Sequence, residues 1–132
     1  MTKNEQGFTL IEIIAVLLIL GIISVVAVQR YLNVANQARL SAAQSAIAEI
    51  KGRLSSAQGK YIMVNGRAPT SLQAYDYAIG SNAYRSAANL RDVGTGFTLT
   101  LTRATPIRIT VTRVRNIVLT PSVVGTFRAA GG

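Results

Sequence analysis

The sequence contains no cysteine and no histidine. Without thiols it can build neither a disulfide framework nor thiol chemistry. Without imidazole the usual catalytic triads, zinc sites and histidine general bases fall away. Acids are scarce as well: Glu5, Glu12, Glu49, Asp76 and Asp92 stand against fourteen Lys and Arg, for a net charge of +9. Catalysis would have to rest on those five carboxylates with Lys and Tyr, so the chain does not read as an enzyme. Beyond the first 58 residues only Asp76 and Asp92 remain, too few for an oxygen cage around calcium. No metal and no cofactor is expected.

The positive charge is uneven. From Gly59 to Gly132 nine Lys and Arg face those two Asp, so this part carries +7. Such a surface suits nucleic acid, anionic lipid or an acidic partner, or simply keeps a protein soluble. The 132 residues are one domain's worth. With the apolar N-terminal run set aside, the rest supports one small core.

Charge is scarcest between Phe8 and Val28, 21 residues in which Glu12 is the sole ionisable side chain. A helix of that length covers about 31 Å, close to a bilayer's hydrocarbon thickness. A single-pass anchor is one reading. A secretory signal peptide, with Lys3 in its basic region and small residues near Ala27, is another. Glu12 fits neither, since a lipid-facing carboxylate there costs up to about 3 kcal/mol. No Lys or Arg follows until Arg30, about 27 Å further along a helix. No basic residue of the same chain is therefore available from inside the membrane, so a partner for the carboxylate, if it has one, is expected from another molecule.

Gly7-Phe8-Thr9-Leu10-Ile11-Glu12, after a short polar leader containing Lys3, resembles the processing site of type IV prepilins and type II secretion pseudopilins. The resemblance implies cleavage between Gly7 and Phe8 by a prepilin peptidase, which also N-methylates the new N-terminal Phe8. It implies that Glu12 is the assembly carboxylate, pairing with a neighbouring subunit's terminal amine. In a dry helix bundle each of those charges would be costly alone. It further implies a single-pass inner-membrane protein held in lipid, handed by an assembly platform to a pilus or periplasmic pseudopilus of like or related subunits. Gln29 stands where many family members carry a helix-breaking Pro, which favours a more continuous helix.

From Arg30 to Gln58 there is no Pro and a single Gly, at Gly52, among good helix formers. Leu40, Ala43, Ile47, Ile50, Leu54 and Ala57 recur at spacings of three and four, the stripe of a helix lying on an apolar surface. Arg39, Gln44, Glu49, Lys51 and Arg53 fall on its other faces. The expected organisation is a leader at 1–7, a membrane or filament-core half-helix at 8–28, an amphipathic half at 29–58 and an α+β head at 59–132.

In the head, Thr70-Ser71-Leu72-Gln73 has the form of a capping box, predicting a helix from Ser71 to about Ile79. A second short helix is expected over about 82–90. Phe97–Arg103 and Ile107–Arg113 alternate with period two and predict paired strands. A loop at Ala104–Pro106 would set Leu101 against Ile109 and Leu99 against Val111, and a two-residue turn would set apolar against polar, so the buried face selects the longer loop. Thr98, Thr100 and Thr102 would then face Thr112, Thr110 and Arg108 outside. Asn116–Thr120 and Val123–Arg128 suggest one or two further strands broken or edged at Pro121, for three to four in all. The last residues, Ala129–Gly132, are expected to be loose. The fold class is α+β, a long helix packed on a small antiparallel sheet, which is also what the prepilin resemblance implies.

Arg103, Arg108, Arg113, Arg115 and Arg128 would gather on or near that sheet. They read as a solvated face that discourages edge pairing, as a contact for an acidic neighbour or surface polymer, or as a nucleic-acid backbone site with Tyr84 or Phe127 stacking.

Overall fold

A computed structural model describes residues 7–80 and 83–132; the leader residues before Gly7 and the expected start of the second head helix at Asn82 lie outside these. The elements run α1 (Leu10–Asn65), α2 (Ser71–Ile79), α3 (Ala87–Arg91), β1 (Phe97–Thr102), β2 (Ile107–Val114) and β3 (Ile117–Phe127). The chain divides into two compact units after Ala38.

The first unit is the N-terminal part of α1. It continues helically through Gly21 and Gln29, as the absence of Pro at Gln29 allows. Every described side chain from Gly7 to Val34 is exposed.

The second unit begins at Arg39, so the buried stripe of α1 belongs with the head. Ala43, Ile47, Ile50, Leu54 and Ala57 are buried as their spacing predicts, and Ala46 joins them. Leu40 does not, being 43% exposed; the buried cluster starts one turn later, at Ala43. Across from this stripe lie Leu99, Ile107, Ile109, Val111, Val114 and Leu119 of the sheet. Burying each large aliphatic side chain contributes about 1.5–3 kcal/mol.

α1 also runs seven residues past its expected end at Gln58. Gly59 lacks the left-handed backbone that stops a helix; Gly66 has it, at φ +66°. There the Gly66 N–H donates to Ile62 O at 2.8 Å, a left-handed helix cap. The extra turns are held by packing, with Tyr61 edge-on to Tyr77 of α2 at 5.5 Å between ring centroids.

α2 carries the predicted capping box. Thr70 Oγ1 accepts from Gln73 N at 3.3 Å and the Gln73 side chain accepts from Thr70 N at 3.0 Å. α3 is shorter than expected and starts at Ala87, capped by Ser86. Arg85 just before it is left-handed at φ 63°, so no helix passes through that point. α3 is tied to α1 by Arg53, which donates to Asn89 O and Leu90 O, pairs with Glu49 and lies 5.6 Å over the Tyr84 ring.

The sheet is three-stranded and antiparallel in the order β1-β2-β3. Leu101 pairs with Ile109 and Leu99 with Val111, the register that the buried face selects. Beyond Leu99 the ladder shifts, so Thr98 meets Arg113 and not Thr112. Thr112 Oγ1 instead donates to Thr98 O at 3.1 Å. Of the one or two further strands expected there is one, because the Pro121 region is absorbed by a register shift between Val111 and Arg113 on β2. Pro on an edge strand beside a bulge leaves no central ladder bond unmade. Arg115 and Asn116, both at positive φ, form the tight turn between β2 and β3.

The tail is not loose. Ser71 is buried at the head of α2, its N–H donates to Gly132 O at 3.0 Å, and its Oγ accepts from Ala129 N at 3.1 Å. Gly131 N donates to Pro69 O at 3.0 Å. Both backbone and side chain thus anchor the segment, which the Ala-Gly composition does not reveal.

Candidate functional site

The first turn of α1 is built by Thr9. Its carbonyl accepts from Ile13 N at 3.2 Å, and its Oγ1 accepts from Glu12 N at 3.3 Å. Thr9 is therefore the N-cap and Glu12 the third helical residue. The Thr-x-x-Glu spacing is itself a sequence signature of a helix start, one that the motif reading passed over.

This placement fixes what surrounds the carboxylate. Glu12 stands in the first turn, where unpaired N–H groups and the helix dipole favour negative charge. It shares a shallow groove with Phe8, Ile13, Val16 and Leu17. Apart from that one carboxylate the groove's described lining is apolar and includes no cation. Gly7 and Phe8 precede the helix and are exposed and non-helical, the geometry of an accessible peptide bond. Behind them α1 is long and apolar enough to cross a membrane, and its most apolar stretch has nothing buried against it.

The family model for the prokaryotic N-terminal methylation motif matches residues 2–28. The chain carries the prepilin-type signal of type IV pilins and pseudopilins. No curated protein and no solved structure matches the chain. The prepilin-type motif and the apolar helix together support membrane anchoring, and the motif supports assembly with other pilins after processing. The head follows the α+β arrangement of a long helix on a small antiparallel sheet.

Of the five arginines, Arg103 pairs with Asp76 of α2, its Nε and Nη2 donating to the two carboxylate oxygens at 2.8 and 2.6 Å. The bidentate guanidinium holds the Asp76 carboxyl below the usual aspartate range. Arg108 lies outward on β2 between Thr102 and Thr126, and Arg113 between Thr98 and Val118. Arg115 sits in the β2–β3 turn and Arg128 follows β3. All four are exposed with no ion pair among the described residues. The aromatics expected to stack on a ligand are engaged: Tyr84 by Arg53, and Phe127 by the core. Among the described residues no group of acids could hold a metal ion.

Proposed function

We propose that the chain is a structural subunit, a pilin or pseudopilin, of a type IV pilus or type II secretion pseudopilus. Cleavage after Gly7 frees the Phe8 amine, which is N-methylated, and the apolar half of α1 leaves lipid to pack against its counterparts. The observation that carries the reading is the placement of Glu12. It is an acid in the first turn of the apolar half of α1, with no cation beside it among the described residues. A neighbouring subunit's terminal ammonium matches it in charge and in reach, and burial among helices makes the pairing matter.

Shearing cells and separating filaments from membranes tests this directly. The processed chain, beginning at a methylated Phe8, is expected in the sheared fraction. A membrane-anchored binding module would stay wholly with the cells. Gly7→Ala is expected to leave an uncleaved band, because the peptidase site would then carry a side chain where the motif has none.

A further inference from the structure

The two edges of the sheet are treated differently. α3 packs against β1, and Arg103, just past the end of β1, is clasped to α2 through Asp76. β3 pairs with β2 on one side, and its other side has no backbone partner among the described residues. Its stretch Val123–Phe127 is regular beyond the Pro121 bulge, pairing with Ile107–Val111. Val124 there is 51% exposed. An open, regular, apolar strand edge is a template for another strand.

A groove runs beside this edge, lined by Gln44, Ile47, Ala48 and Lys51 of α1 and by Val123 to Gly125 of β3. Gly125 lets α1 approach β3 at the groove's floor; a Cβ there would collide with Ile47 Cγ2 and lie 3.5 Å from Lys51 Cε. A strand laid on β3 would set alternate side chains into the groove against Ile47 and Ala48. The ammonium of Lys51 stands at its wall, without an acidic partner among the described residues.

We propose that the Val123–Phe127 edge and this groove form a strand-addition site for an extended acidic segment of a different chain. Charge selects the occupant. The unit from Arg39 onward carries twelve Lys and Arg against Glu49, Asp76 and Asp92, so a second copy would be repelled. None of the strands among the described residues contains an acid, so a strand from a second copy would bring Lys51 no carboxylate. Main-chain bonds to β3 supply attachment, the groove selects apolar alternate residues, and Lys51 selects an acid. This inference stands apart from the filament reading, because it requires no cleavage at Gly7 and no role for Glu12.

The probe is a synthetic peptide of roughly eight residues, an ordinary strand length, alternating Val with Glu and Thr. Its counterpart carries Lys in place of Glu. Both are titrated against the full chain in detergent micelles, with amide hydrogen exchange followed residue by residue. The acidic peptide is expected to bind, the basic one not, and the amides of Val123–Phe127 to exchange more slowly in the complex. Lys51→Glu is expected to weaken the acidic peptide about tenfold and to admit the basic one. The proposal is overturned if neither peptide binds, or if protection appears around Arg108 and Arg113 instead. Dimerisation of the unliganded chain through β3 would overturn it too.

Discussion

Gly125 holds α1 and β3 closer together than any side chain permits, because Ile47 Cγ2 occupies the space its Cβ would take. Gly125→Ala is expected to destabilise the head by about 1–3 kcal/mol, the usual cost of overpacking, read as a lower melting temperature by circular dichroism in detergent. The pair of Asp76 and Arg103 makes a different residue-scale prediction. Its native carboxyl titrates below the ordinary aspartate value, so its stabilising contribution is fully present above roughly pH 4 and is lost as pH falls through the lower native value. Both side chains are about half exposed, so the effect is of surface-pair size. Asp76→Asn should lower the melting temperature slightly at neutral pH, and that difference should vanish in strong acid. A difference persisting unchanged at low pH would show that the pair does not act through charge.

At the scale of elements, the stripe on α1 is the main support of the head. Leu54 is fully buried in it, and Leu54→Ala is expected to cost about 2–5 kcal/mol, measured by denaturant unfolding. Much of this architecture was legible. The 3-and-4 spacing identified the buried face of α1, Thr70 and Gln73 identified the start of α2, and alternation in β1 and β2 chose the hairpin register. Each is a local pattern with one physical solution. What escaped depends on partners distant in sequence. α1 continues past Gln58 because Tyr61 finds Tyr77, and the tail is ordered because Ser71 accepts from Ala129. Arg53 falls outside the apolar stripe, and only the folded head brings two carbonyls of α3 to it. The turn at Arg115 and Asn116 also gave no signal, since Arg is a rare choice at positive φ.

For the whole molecule the decisive contrast is between its two units. The head from Arg39 onward closes on its own core, whereas the apolar segment from Phe8 to Val28 is exposed throughout. Such a segment requires lipid or other helices, and in the function we propose Gly7-Phe8 and Glu12 would supply a route from the first to the second. The candidate site was legible in the sequence because its motif is contiguous; the cap by Thr9 became apparent only with the helix start. In the function we propose, Glu12 serves assembly and not processing. Glu12→Ala, expressed beside the unaltered chain, tests it by comparing cleavage with recovery in sheared filaments. Breaking a buried pair costs roughly 3–5 kcal/mol, so normal cleavage after Gly7 is expected, with the variant retained in the membrane fraction. Incorporation of the variant into filaments at the level of the unaltered chain would contradict it.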